Sequence, residues 1–234
     1  MTRLEDRPVV VIVPGFMRTA NELSVLPPHL APRFEVAFWN LPGHLAPRIA
    51  GYGVEPIAKA LAAHLEATYA GREVLLVGES LGGLVGLMLA PFAPDCLKQI
   101  FAIDPPLQTA KLWPVQREIR NKWLQFPKAT LLAIYAEPVF GQSQDGTITD
   151  RDYRDVLEAK PRVGVNVLTG DVPLMPPRLM STAPSLMDDE DRELVAAADG
   201  YCLHVFEGGL GHVLLTLAPE RCVAFIEQAY LAVE

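Results

Sequence analysis

The sequence predicts an α/β fold: a mainly parallel sheet of about six strands with helices on both faces. Three observations carry this expectation. Short β-branched or aromatic runs alternate along the chain with longer segments of helical periodicity. The first run, Val9-Val10-Val11-Ile12-Val13, is apolar at every position, as a strand buried on both faces must be. Finally, 234 residues that are 50% hydrophobic and 21% charged suffice for one cored domain, or for a core with a small insertion.

The elements follow in order. The Val9–Val13 run stops at Pro14-Gly15, and Phe34 to Trp39 forms a second strand closed by Asn40-Leu41-Pro42-Gly43. A helix over Ile57 to Tyr69 carries Ile57, Leu61 and Leu65 on one face, with Pro56 near its start and Gly71 beyond its end. Strands are expected at Val74–Val77, Gln99–Ile103, Val163–Leu168 and Tyr201–Phe206, with an apolar helix over Leu84 to Leu89. The last helix starts near Pro219 and aligns Val223, Ile226, Tyr230 and Val233. The rhythm breaks between Pro105 and Pro161. There Leu131 to Tyr135 is open to a strand reading, but the surrounding pattern of Trp113, Trp123, Phe126 and basic residues favours short helices, and Asp145-Gly146-Thr147 marks an exposed turn. The expected division is therefore a core of residues 1–104 and 162–234 with a cap insertion at 105–161.

Composition excludes several classes of function. The net charge of −8, from Lys+Arg 20 against Asp+Glu 28, argues against a duplex nucleic-acid binder, which needs basic phosphate contacts. The most apolar stretch, Leu81 to Pro94, is interrupted by Gly82, Gly83, Gly86 and Pro91 and is too short for a membrane span. The charged start, Met1 to Arg7, has no signal-peptide core, and Cys96, Cys202 and Cys222 are too few for a disulfide framework. A soluble, cytoplasmic protein is expected. No cofactor is expected, and no metal site, because neither His-Glu-x-x-His nor a clustered His/carboxylate spacing occurs.

The sharpest chemical signal is Gly78-Glu79-Ser80-Leu81-Gly82, which lies between a predicted strand and a predicted apolar helix. That context is what a nucleophile elbow requires: a tight turn lifts the serine hydroxyl above the sheet, and glycines on either side let the backbone pass. With five serines and 17 glycines in the chain, Gly-x-Ser-x-Gly is expected by chance only about 0.03 times. A glycine-lined structural turn is the plainer alternative.

Ser80 needs a base. Of the five histidines, His64 lies mid-helix, His204 lies within a strand, and His29 sits in the Pro27-Pro28-His29 connection. His212 follows the last strand through the loop Glu207 to Gly211, at the carboxyl end of the sheet, and is the preferred base. A carboxylate must hold the imidazole. Asp171, after Thr169-Gly170 at a strand end, is favoured; Asp104 and the Asp188/Asp189 pair compete, although Asp188 equally suits a helix start. The order Ser80, Asp171, His212 fits one of the known serine-triad orders. Two oxyanion donors are also needed: the backbone N–H of Leu81, and that of Phe16 with Met17 as the alternative, since Gly15 allows close approach.

These residues resemble the α/β-hydrolase superfamily over nearly the whole chain. The resemblance rests on Pro14-Gly15-Phe16, Leu41-Pro42-Gly43-His44, Gly78 to Gly83, Gly170-Asp171 and Gly211-His212. It implies an α/β-hydrolase fold, a serine triad and a cap inserted after Ile103, and it assigns His44 to a structural turn. The chain departs from the family in having Pro14-Gly15 where many members have His-Gly, in placing Asp171 directly after Gly170, and in lacking room for the two N-terminal strands. It also has a serine where haloalkane dehalogenases of the family use aspartate.

The expected activity is hydrolysis of a small carboxylic ester through an acyl-serine. A C–C bond hydrolase, thioesterase, amidase or acyltransferase could use the same triad, and a non-catalytic ligand-binding protein is the alternative of another class. The expected partner is a small-molecule ester or acyl substrate; the oligomeric state is unknown. In the insertion, Leu107, Leu112, Trp113, Trp123 and Phe126 either line a pocket or hold the insertion together. Lys111, Arg117, Arg120, Lys122 and Lys128 face only Glu118 between Pro105 and Thr130, a local excess of four positive charges. That excess is either a solvated helix face or an attractor for an anionic substrate.

Overall fold

The computed structural model describes residues 7–126, 130–177 and 183–232. Lys128, Val233 and the first six residues, which entered the sequence reading, lie outside these ranges. All six expected strands form: β1 (Val9–Val13), β2 (Glu35–Phe38), β3 (Val74–Glu79), β4 (Leu97–Ile103), β5 (Gly164–Gly170) and β6 (Tyr201–Phe206). They make one sheet in the order β2-β1-β3-β4-β5-β6, with every neighbouring pair parallel. Helices α1 (Pro27–Leu30), α2 (Val54–Tyr69), α3 (Leu81–Leu89), α4 (Trp113–Gln125), α5 (Thr130–Phe140), α6 (Asp189–Ala197), α7 (Leu214–Leu217) and α8 (Pro219–Leu231) complete the described elements, with short 3-10 turns between some of them.

The alternation of β1 shows why its sequence is apolar throughout. Val9, Val11 and Val13 enter one core with Ile57, Leu61 and Leu65 of α2, Leu84 of α3 and Val195 of α6. Val10 and Ile12 enter a second core with Leu30 of α1, Leu214 and Leu215 of α7, and Val223 and Ile226 of α8. Successive side chains point to opposite faces, so a strand covered on both sides has no position left for a polar residue. The edge strand β2 is only half-buried, and it carries Glu35, which pairs with Arg72.

Between β4 and β5 the chain leaves the sheet for α4 and α5. Leu131 to Tyr135, which was open to a strand reading, lies within α5. A short apolar run has no intrinsic period, and its neighbours decide. Leu107 and Leu112 are buried; Trp113 packs on Leu112, Leu174 and Leu186, Trp123 packs on the main core, and Phe126 is exposed. Leu107, Leu112, Trp113 and Trp123 hold the segment between β4 and β5 to the body, and Phe126 takes no part. The expected turn forms at Asp145-Gly146-Thr147, with the Asp145 carboxylate accepting from Thr147 N–H at 2.9 Å.

The strand order places the site. The chain moves from β1 outward to β2, then returns to the other side of β1 with β3. The loops leaving β1 and β3 therefore part in opposite directions, and the gap between them at the carboxyl end of the sheet is where ligands bind in such folds.

Candidate active site

The loops at this gap are the Pro14–Arg18 turn after β1 and the Ser80 elbow after β3. Ser80 has φ 55° and ψ −117°, a backbone conformation that L-residues rarely adopt. Its N–H donates to the Ile103 carbonyl at 2.7 Å, and α3 starts at the next residue, three earlier than the sequence pattern suggested. The motif glycines are required by close approach. A Cβ on Gly78 would lie 2.2 Å from the Gly82 carbonyl oxygen, and one on Gly82 would lie 2.2 Å from the Val13 oxygen.

His212 follows the β6 loop, with its N–H donating to Ala183 O at 3.1 Å. Its Nδ1 lies 2.7 Å from Oδ2 of Asp104, which is fully buried directly after β4. The same Oδ2 accepts from Leu186 N–H at 2.7 Å, and Oδ1 meets the hydroxyls of Thr169 and Ser185. Buried carboxylates need such partners to stay charged.

The sequence reading favoured Asp171 for this place, and the geometry corrects it. The Asp171 carboxylate accepts backbone N–H groups of Gly208 (2.9 Å), Gly209 (3.2 Å) and Leu210 (2.8 Å), so it braces the loop that carries His212 rather than the imidazole itself. These bonds hold its carboxyl below the usual range. The other competitors take structural places. Asp188 caps α6 by accepting from Asp191 N–H at 2.9 Å and pairs with Lys111, while Asp189 lies 3.7 Å from Arg192.

The turn after β1 brings its backbone to Ser80. Arg18 N–H donates to Gly15 O at 3.1 Å, and Met17 sits at φ 62°. A Cβ on Gly15 would lie 3.0 Å from Ser80 Cβ. Among the described residues the N–H groups of Phe16, Met17 and Leu81 have no protein acceptor. Ser80, His212, Phe16 and Met17 all line one cleft of about 410 Å³, roofed by Pro114, Val115, Arg117, Ile119 and Lys122 of α4 and by Phe140 of α5.

A model of the alpha/beta hydrolase family matches residues 10–225. The chain belongs to this family. Solved structures share the fold at low identity. The E-2-(acetamidomethylene)succinate hydrolase has 18% identity and a TM-score of 0.68, over 94% of this chain and 90% of that one. The enol-lactonase from Burkholderia xenovorans LB400 has 15% identity and a TM-score of 0.65, over 97% and 92%. The thioesterase domain from the curacin biosynthetic pathway has 15% identity and a TM-score of 0.63, over 95% and 92%. A comparison with curated proteins finds no match in sequence.

Two features of this alpha/beta hydrolase escaped the sequence reading. The first is the Thr169, Ser185 and Leu186 shell around Asp104, contributed by segments up to 82 residues away. The second is Arg18. Its Nη1 donates to both carboxylate oxygens of Glu79 at 2.7 Å, and its Nη2 donates to Glu22 O at 3.1 Å and Thr216 Oγ1 at 2.9 Å. Glu79 precedes the serine and is 1% exposed. Burial pushes its carboxyl up, and the Arg18 charge opposes that shift. One guanidinium thus ties the Pro14–Arg18 turn to the elbow and to the segment after His212. The only sequence signal for it was a carboxylate inside an otherwise apolar strand end.

Three of the remaining histidines have local partners. His44 is buried, with Nδ1 3.3 Å from Arg18 O and its ring 6.1 Å from Phe16, where it supports the same turn; burial lowers its pKa. His64 meets Thr68 and the ring of Trp39. His204 meets Asn166 and the ring of Phe225. His29 lies on α1, on the face of the sheet held by α8. Among the described residues no helix is long and apolar enough to cross a membrane.

Proposed function

We propose that the chain is a serine hydrolase that cleaves a small carboxylic ester through an acyl-serine intermediate. The observation that carries this reading is the 2.7 Å pairing of His212 Nδ1 with buried Asp104, in the cleft that the strained Ser80 also lines. Pairing at Nδ1 fixes the tautomer and leaves Nε2 for the serine. In this scheme Ser80 Oγ attacks the ester carbonyl and its proton passes to His212 Nε2. The Phe16 and Leu81 N–H groups, with Met17 as the alternative, hold the oxyanion. The C–O bond then breaks, and the alcohol leaves with the proton from His212. A water molecule, deprotonated by the same nitrogen, attacks the acyl-serine and releases the acid. Asp104 takes the role first assigned to Asp171, and the 105–161 insertion acts as the cap.

The free thiols Cys96, Cys202 and Cys222 support a reducing, cytoplasmic setting. A fluorophosphonate probe tests the chemistry. The folded wild type is expected to label and Ser80→Ala is expected not to. A wild type that stays unlabelled would leave a ligand-binding protein on a hydrolase fold, and a labelled Ser80→Ala would remove Ser80 from its role. A p-nitrophenyl ester series of rising acyl length then measures the depth of the cleft.

A further inference from the structure

We infer that the cleft takes a substrate bearing a carboxylate remote from the scissile bond, and that Arg117 on α4 binds it. This rests on the hydrolase reading for the bond that is broken, but the binding it describes stands apart from turnover.

The basic excess seen in the sequence resolves into separate fates. Lys111 turns away to Asp188 at 2.7 Å and Glu190 at 2.9 Å, outside the cleft. Lys122 lines the cleft but has Glu118 at 3.6 Å. Arg18 lines it too, with its charge committed to Glu79. Arg120 borders a different cavity, beside Trp123 and Gln142. Among the described residues Arg117 is the cation of this cleft with no carboxylate partner.

Arg117 is also seated. Its guanidinium carbon lies 5.2 Å from the ring centroid of Trp113, and that ring is fixed by its own Nε1–H donating to Leu174 O at 2.8 Å. Stacking on an aromatic face uses the flat side of a guanidinium and leaves its N–H edge for a planar anion. An arginine held this way loses less freedom on binding than a free one. The protein has eight more acidic than basic residues, so carboxylates for internal pairing were not scarce.

The rest of the cleft defines the other half of the ligand. Phe16, Phe140, Ile119 and Leu186 give the cleft apolar lining. The combination suits an acyl chain lying in the apolar part with a carboxylate reaching the α4 wall. A carboxylate matches a guanidinium edge through two parallel N–H···O bonds, which a neutral ester terminus cannot form.

The test separates binding from chemistry. In the Ser80→Ala chain, which cannot turn substrate over, monomethyl glutarate is titrated against dimethyl glutarate by calorimetry. The monoanion is expected to bind at least about tenfold more tightly, an advantage that Arg117→Gln removes and Arg117→Lys restores in part. In the Ser80 chain, the ratio of kcat/KM for p-nitrophenyl hemiglutarate over p-nitrophenyl pentanoate is expected to fall about tenfold on Arg117→Gln, and to fall with rising salt. Equal binding of the two glutarates, or a preference unchanged by Arg117→Gln, overturns the inference. Failure of wild type to take the fluorophosphonate label would instead remove the hydrolase reading, with the titration still deciding the role of Arg117.

Discussion

Two aspartates stand at the carboxyl ends of neighbouring strands, Asp104 after β4 and Asp171 after β5, and they do different work. Asp104 is buried and directs one oxygen at the imidazole of His212. Asp171 lies further out and spends both oxygens on the backbone of the loop that leads to that imidazole. One orients a side chain, the other shapes the chain that presents it. The difference teaches that a carboxylate near a candidate catalytic histidine is defined by what its oxygens accept, not by its place after a strand.

The largest expected effect separates the two directly. Asp104→Asn keeps the shape but offers an amide to His212 Nδ1 and favours the wrong tautomer. Steady-state assays should show kcat reduced by about 10³ to 10⁴ fold, with fluorophosphonate labelling slowed in step. Asp171→Asn should cost only about tenfold, through a less well-placed imidazole. If the two losses are equal, or their order is reversed, the division of labour fails.

The smallest effect sharpens the contrast on the acid side. The backbone N–H groups of Gly209, Gly208 and Leu210 lower the Asp171 pKa in the folded chain below 3.8. Because the unfolded chain takes up that proton first as pH falls, the loop bracing is fully present above about 3.8 and disappears as pH drops through the lower folded value. The amide proton shifts of Gly208, Gly209 and Leu210 should therefore titrate together below 3.8, and this step should be missing in Asp171→Asn.

Most of the fold was legible because β1 is a contiguous apolar run with a clear stop, and the other strands are short runs rich in aliphatic or aromatic residues between turn signals. Ser80 and His212, which the structure brings to one cleft, could be picked out because the proposed chemistry needs particular residue types at particular boundaries. Asp104 was harder to choose, because the choice depends on which strand ends near Ser80. β4 pairs directly with β3, while β5 stands one strand further away, about 4.8 Å more in a sheet. Strand order is a tertiary fact, and sequence alternation does not supply it. The Arg18–Glu79 pair was hidden for a related reason, since its partners are 61 residues apart and a charged loop residue such as Arg18 usually faces solvent. The basic insertion was visible as a count but not as a surface, because Lys111 finds its acids 77 and 79 residues downstream.

The Arg18 bridge to Thr216 spans 198 residues, and it bears on how the molecule comes into being. A ribosome releases the turn after β1 well before the segment after His212. The guanidinium can meet Glu22 and Glu79 earlier, but its bond to Thr216 waits for those 198 residues, and contacts of such long sequence separation form slowly. Buried Glu79 is joined through Arg18 to the segment after His212 only from then on. Chains cut before Thr216 lack that closure, so the assembled elbow doubles as a seal between the two sides of the cleft.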